Sequence, residues 1–200
     1  CQQLYQSGFI TYMRTESNTY SKTFLDKMKN YLHKYYPNDE DCIPSSWNHI
    51  EHNKSIHPHE AIRVTDLNIT KIETSNTRLM SVYRLIRKNT IESCMTDYKY
   101  NCCKIFLTAP MDLQYEHSIE IPTQLGWKVY SEPDPLCDLQ HKAQSRVMRF
   151  QSYANSIAPY VKITATAQFK KTGSYYSEAS LIHKLEELGI GRPSTFASIV

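Results

Sequence analysis

The spacing of apolar residues changes at Tyr98, and this change limits the possible folds more than any other feature of the sequence. Before Tyr98, apolar side chains recur at helical spacing in residues 21–35 and 75–97. After it come short segments rich in Val, Ile, Tyr, Phe and Thr, separated by Pro and Gly: 99–108, 113–121, 127–130, 147–153 and 161–167. These segments are typical of antiparallel strands. The sequence therefore predicts an α+β chain, helical first and β-rich second.

Helix-ending residues refine this prediction. Gly8 ends a helix over 1–7, Ser21 is the N-cap of the next, and Asn89-Thr90 is a possible break in the helix over 75–97. Residues 37–58 and 136–146 are predicted loops. A last helix begins at Ser177 and ends at Gly189, with a buried stripe of Leu181, Ile182, Leu185 and Leu188.

Composition excludes few functions. A net charge of +3 permits a nucleic-acid partner without requiring one, and no run of about 18 apolar residues predicts a membrane span. The six cysteines form no Cys-x-x-Cys pair, so we expect free thiols in a reducing compartment. The chain begins without Met and ends within a predicted helix, which suggests an excerpt from a longer protein.

Tyr12 and Arg14 are the first candidate site residues. The alternation of apolar and polar residues from Phe9 to Arg14 predicts an extended segment, in which both side chains point to the same face. A phenol is a possible nucleophile once its oxyanion is stabilised, and a guanidinium binds phosphate through two donors. The alternative is packing, because the chain has 15 tyrosines and most of them must be structural.

His57, His59 and Glu60 form a second cluster. The two histidines flank Pro58, a spacing that does not match the i, i+4 geometry of helical zinc sites, so we expect no metal there. An imidazole can donate a hydrogen bond to a phosphate oxygen or transfer a proton near neutral pH. Arg63 is expected to hold this segment through an ion pair with Glu60 or Asp66.

Arg192, Ser194 and Thr195 form a third cluster near the end of the chain. Pro193 suits the first turn of a helix, which would place a guanidinium, two hydroxyls and free N–H groups at one N-terminus. Such a cluster is an anion site. An ordinary capped corner between two helices explains the same residues equally well.

Three stretches resemble the signatures of one family, the type IA DNA topoisomerases. They are Leu4-Tyr5-x-x-Gly8-x-Ile10-Thr11-Tyr12-Met13-Arg14-Thr15-Glu16-Ser17, His59-Glu60-Ala61-Ile62-Arg63-x-Thr65-Asp66, and Gly189-Ile190-Gly191-Arg192-Pro193-Ser194-Thr195-Phe196-Ala197-Ser198. The first two are more similar to the bacterial topoisomerase I branch than to the topoisomerase III branch. The family usually has Asp for Glu16, Pro for Val64, and Pro-Pro-x-Arg where 171–175 stand here.

The resemblance implies roles for these residues. Tyr12 attacks one DNA strand to form a 5′-phosphotyrosyl bond, Arg14 assists, and His59 lies near the scissile phosphate. Arg192, Ser194 and Thr195 contact the backbone of single-stranded DNA, and Arg63 is a further DNA-binding candidate. It also implies three units: 1–98 with the active-site tyrosine, 99–168 as a β-rich arch, and 169–200 as a helical DNA-binding segment.

The implied enzyme relaxes negatively supercoiled DNA as a monomer, in the cytoplasm and associated with DNA, without ATP. Its Mg²⁺ is bound by a Toprim domain outside this chain, so we expect the chain alone to be inactive. The alternative function is that of a non-catalytic module that binds single-stranded DNA through phosphate contacts and stacking.

Overall fold

The computed structural model describes residues 1–51, 58–109, 111–157, 162, 164, 166–167 and 175–200. The α-helices are α1 Gln2–Gln6, α2 Lys22–Tyr35, α3 Thr77–Glu92, α4 Leu136–Gln151, α5 Glu178–Glu187 and α6 Phe196–Ile199. The strands are β1 Lys99–Thr108 and β2 Gln114–Gln124, and short 3₁₀ turns cover Glu40–Cys42 and Gly126–Tyr130. The α+β prediction is confirmed.

The main core lies between α1, α2 and α3. Helix α2 begins after Ser21, as predicted, and it buries Phe24, Leu25, Met28 and Leu32. Across from them, Tyr83 and Ile91 of α3 are fully buried. All buried members of this core cluster lie between Leu4 and Met95.

Helix α3 is continuous, so a break at Asn89-Thr90 was wrong. The Thr90 hydroxyl donates to the carbonyl of Ile86 at 2.7 Å, which satisfies a buried polar group within the helix itself. Asn76 caps the start of the helix by accepting a hydrogen bond from the backbone N–H of Leu79.

Arg87 of α3 is a buried cation that connects three elements. Its two terminal nitrogens donate to the Tyr31 hydroxyl at 2.9 Å, the Leu67 carbonyl at 3.0 Å and the Tyr130 hydroxyl at 3.0 Å. Its exposed fraction is 7%. Helix α3, helix α2 and the 3₁₀ turn at Gly126–Tyr130 therefore meet at one guanidinium.

The sheet is an antiparallel hairpin of β1 and β2. Its first strand was predicted with the correct limits, and its second within three residues. Helix α4 covers one face, where Ile119 and Ala143 are buried and the Gln140 side chain donates to the Pro122 carbonyl at 2.9 Å.

Three predictions after the hairpin need correction. Residues 136–146, predicted as a loop, and most of 147–153, predicted as a strand, form the single helix α4. Residues 127–130 lie in a 3₁₀ turn instead of a strand. Gly126 makes this turn possible: its φ is +51°, and a Cβ there would lie 2.3 Å from the Asp97 carbonyl oxygen. The predicted strand 161–167 falls on a segment in which 161, 163 and 165 lie outside the described residues.

The C-terminal helices are well capped and poorly buried. Ser177 and Ser180 form a reciprocal capping box at α5, and Gly189, at φ +68°, follows its end, as predicted. The predicted buried stripe is wrong, because α5 has no buried residue and Leu188 is 60% exposed. Pro193 lies in a turn before α6 and not within the helix.

Candidate active site

The Tyr12 segment is held by backbone pairing with the segment that follows His59. Gly8, at φ +74°, turns the chain out of α1, and the buried Ile10 then pairs antiparallel with Val64. The Thr11 N–H donates to the Arg63 carbonyl at 2.9 Å, and the Thr65 N–H donates to the Phe9 carbonyl at 3.1 Å. Two sequence motifs separated by some fifty residues thus form one short ladder.

Thr11 also fastens this ladder through its side chain. Its hydroxyl donates to the Ala61 carbonyl at 2.8 Å and accepts the Arg63 N–H at 2.9 Å. The Thr65 hydroxyl donates to the Gly8 carbonyl at 2.6 Å. Sequence reasoning did not assign a role to Thr11, because its partners lie far away along the chain.

Tyr12 and His59 lie in contact beside the ladder. Their ring centroids are 4.7 Å apart, with the planes tilted by 44°. Tyr5 also packs against the phenol of Tyr12 in an edge-on arrangement, with ring centroids 5.4 Å apart. Tyr12 is partly buried and His59 is exposed. The structure therefore brings together two of the three residues predicted to be catalytic, and adds Tyr5 as a support that the sequence did not reveal.

Arg14, the third of these residues, is exposed two positions beyond Tyr12. No described residue forms a hydrogen bond or an ion pair with its guanidinium. An unpaired, exposed guanidinium can bind a phosphate without first breaking an internal contact.

Arg63 occupies an internal position instead. Its guanidinium forms an ion pair with Glu60, with an Nη2–Oε1 distance of 2.6 Å, and it also donates to the Val64 carbonyl and stacks over Phe24 at 4.1 Å. Of the two partners considered from the sequence, Glu60 is the one present. This geometry favours the ion-pair role for Arg63 over direct contact with DNA.

Glu60 is the second half of this internal pair. Burial opposes its ionisation, but hydrogen bonds from Arg63 and from the Ser21 N–H outweigh that effect and lower the pKa of the carboxyl. The charged pair fixes the segment after His59 to the start of α2.

One exposed ion pair joins the motif that contains Arg192 to the motif that contains Tyr12. Arg192 Nη1 lies 3.4 Å from Glu16 Oε1. Thr195 is used locally, since its hydroxyl accepts the Arg192 N–H at 2.8 Å. Ser194 is exposed. The structure thus brings Arg192 to the same side of the molecule as the Tyr12 segment.

The described part of the chain contains no group of three or more His, Cys, Asp or Glu residues able to hold a metal ion. His57, which the sequence considered as a ligand, lies outside the described residues. All six cysteines are free thiols. Within the described ranges, no helix has the length and apolar character needed to cross a bilayer.

The fold resembles a solved full-length topoisomerase I. The structure from Thermotoga maritima superposes with a TM-score of 0.61 over 95% of this chain and 29% of that protein, at 24% sequence identity. At this identity the likeness concerns the fold alone.

Sequence comparison extends further. DNA topoisomerase 1 of Buchnera aphidicola from Acyrthosiphon pisum is 33% identical over 99% of this chain, and that of Streptomyces coelicolor is 34% identical over all of it. The Escherichia coli K12 enzyme is 30% identical over the whole chain. The chain spans 22% of the length of each. A sequence model of the DNA topoisomerase family matches residues 1–200. The chain therefore belongs to the DNA topoisomerase family, as its three motifs predicted.

Proposed function

We propose that this chain carries the DNA-cleaving tyrosine of a type IA topoisomerase, an isomerase that acts on single-stranded or negatively supercoiled DNA. The observation that supports this most strongly is the contact between Tyr12 and His59 at 4.7 Å. It joins the proposed nucleophile of one motif to the imidazole of another, beside the ladder that pairs the two motifs.

In the proposed reaction, the Tyr12 oxygen attacks a DNA phosphorus. The new O–P bond forms as the bond from phosphorus to the 3′ oxygen breaks, and the phenol releases its proton to solvent. The 3′ oxygen leaves as a hydroxyl after taking up a proton from a group outside this chain. Because the ester keeps the energy of the broken bond, resealing requires no ATP, and a second strand passes between the two steps.

Arg14 and His59 assist this reaction. A neutral phenol is a poor nucleophile, so charge on the phosphate and on the attacking oxygen must be stabilised. Arg14 has a free guanidinium for the phosphate, and His59 adds an imidazole donor beside the phenol. Arg192, with Ser194 and Thr195, holds the DNA backbone further along the strand, in the segment 169–200.

Mg²⁺ is proposed to act from outside this chain. The described residues do not provide a carboxylate cluster that fits the ion, so no step is assigned to a metal held here. A Toprim domain elsewhere in the protein would bind it. The three proposed units are the tyrosine domain 1–98, the arch 99–168 and the DNA-binding segment 169–200.

The test is a covalent-trapping assay in the full-length enzyme. Tyr12→Phe should abolish the detergent-stable DNA adduct and leave single-strand binding nearly unchanged, because only the attacking hydroxyl is removed. Tyr5→Phe is the matched control: it removes a hydroxyl from the ring packed against Tyr12 and should still cleave. An adduct in Tyr12→Phe would overturn the assignment.

Arg14→Ala and His59→Ala should each slow cleavage by about 10²-fold or more, as expected for a lost donor or positioned charge. Binding without any adduct in the unaltered enzyme would instead support the alternative, a non-catalytic single-stranded-DNA module.

A further inference from the structure

A groove of about 530 Å³ runs along α2, between that helix and residues 65–68. Its volume falls in the range of about 300–1,000 Å³ that is usual for ligand sites. Lys27, Tyr31, Lys34 and Tyr35 line one side, and Asp66 and Asn68 line the other. None of these side chains has a role in the proposed cleavage reaction.

The groove carries two lysines that form no ion pair with any residue the structure describes. Lys27 and Lys34 are exposed, and neither forms an ion pair with a described residue. Seven residues of helix separate them by about 10.5 Å along the axis, so they project from the same side two turns apart. Asp66 is the one carboxylate in the described lining, and it is engaged by the Asn68 N–H and side-chain amide.

A buried guanidinium under the wall of the groove adds to this positive charge. Arg87 donates to the Tyr31 hydroxyl and the Leu67 carbonyl, both in the groove wall, and no described carboxylate pairs with it. Because the Tyr31 oxygen accepts from Arg87, its own hydrogen remains available to a ligand. Burial raises the pKa of Tyr31, so the phenol keeps that hydrogen at neutral pH.

The groove also offers an aromatic surface. The rings of Tyr31 and Tyr35 lie 4.5 Å apart, and Tyr35 is 48% exposed. Lys34 Nζ lies 5.0 Å from the centre of the Tyr35 ring. Because Lys34 Nζ lies over the Tyr35 ring, a nucleotide can draw the ammonium to its phosphate and stack its base on the ring face that is freed, which is the combination of charge and aromatic surface that single-strand-binding proteins use.

We propose that this groove binds a segment of single-stranded DNA, with phosphates at Lys27, Lys34 and the Tyr31 hydroxyl and a base on Tyr35. The site is separate from the Tyr12–His59 pair but adjoins the same ladder, since Thr65 lines the groove and bonds to the Gly8 carbonyl. This inference rests on the proposed single-strand-binding role of the chain.

The first test measures binding of a fluorescent oligothymidylate to the chain at several salt concentrations. Replacing Lys27 and Lys34 together by Ala should weaken binding and reduce the slope of log K against log salt by about 1.4, for two phosphates on a single strand. The matched control replaces Lys22 and Lys29, exposed lysines of the same helix outside the groove, and should leave the slope unchanged. Equal reductions in both variants would overturn the proposal.

Two further measurements test the groove without the variant that replaces Lys27 and Lys34. Tyr35→Leu should weaken binding by about tenfold with little change in salt slope, as for the loss of one stacked base. In the unaltered chain, the oligonucleotide should protect Lys27 and Lys34, but not Lys22 or Lys29, from an amine-reactive reagent read by mass spectrometry.

The outcomes separate this inference from the proposed function. If DNA binds but does not protect Lys27 and Lys34, the groove is not the binding site, and the assignment of Tyr12 as the nucleophile is unaffected. No binding at all to single-stranded DNA contradicts both the groove and the binding role on which it rests.

Discussion

The tyrosine region and the C-terminal region both contain candidate DNA-binding residues, but the two regions differ in how much of their structure is buried. In residues 1–97, Tyr12 and His59 lie beside a hydrogen-bonded ladder, and the core of this region contains the fully buried Leu32 and Tyr83. In residues 175–200, α5 has no buried residue, and Phe196 is the one buried side chain among those described.

The link between the two regions is correspondingly weak. The pair of Arg192 and Glu16 spans 3.4 Å, with side chains that are 71% and 38% exposed. Exposed ion pairs contribute about 0–1 kcal/mol and are screened by salt. The groups proposed to cleave DNA are therefore arranged within the folded tyrosine region, whereas the position of the Arg192 segment depends on weak contacts that bound DNA would be able to replace.

The same substitution in each region should show this difference most clearly. Leu32→Ala removes a fully buried side chain and should lower the free energy of unfolding by about 2–5 kcal/mol. Leu188→Ala, at a position that is 60% exposed, should change it by less than about 0.5 kcal/mol. Urea unfolding of both variants measures the difference, and equal losses would contradict the contrast between the regions.

Thr11→Val tests whether the ladder depends on a hydroxyl. The substitution keeps the shape but leaves the Arg63 N–H and the Ala61 carbonyl without that partner, so unfolding should become easier by about 1–3 kcal/mol. Thr11→Ser retains both hydrogen bonds and should lose clearly less. Identical losses in thermal unfolding would mean that the methyl group, and not the hydroxyl, matters.

Glu60 should make the tyrosine region sensitive to acid. Its pKa is lowered from 4.5 in the folded state, so its contribution to stability is complete above that pH and is lost as the pH falls through the lowered value. Comparing unfolding of the unaltered chain and Glu60→Gln from neutral to acid pH checks this. The stability difference should shrink below pH 4.5, and a difference that grows on acidification would reverse the assigned sign.

Glu16→Gln should have the smallest effect. Losing an exposed ion pair should change the free energy of unfolding by less than about 1 kcal/mol at low salt, and the change should vanish at high salt. A loss as large as that of Leu32→Ala would show that the C-terminal region is held firmly to the tyrosine region.

The hairpin and α4 show why one part of the fold could be predicted from the sequence and another part could not. Strand β1 was predicted with its correct limits because its β-branched and aromatic residues end in clear turn signals. Helix α4 was missed because residues near its end favour strands locally, although Leu136, Leu139 and Ala143 recur at helical spacing. In the fold this helix packs against β2, and short windows of sequence do not contain that contact.

The candidate site divides in the same way. Tyr12, Arg14 and His59 were identified from residue type and motif, without knowledge of their geometry. The bonds of Thr11 and the ion pair of Glu16 with Arg192 join residues far apart in sequence, and no local pattern encodes such pairings. For Arg63, the sequence left two roles open, and the ion pair with Glu60 favours the internal role.

The most direct test of the account is to identify the residue that carries DNA. The full-length enzyme would be incubated with a labelled single-stranded oligonucleotide and Mg²⁺, denatured with detergent, digested with protease and nuclease, and analysed by mass spectrometry. We expect the nucleotide phosphate on the peptide containing Tyr12, and no covalent product when residues 1–200 are incubated alone. A modified residue other than Tyr12, or an adduct formed by the isolated chain, would contradict the account.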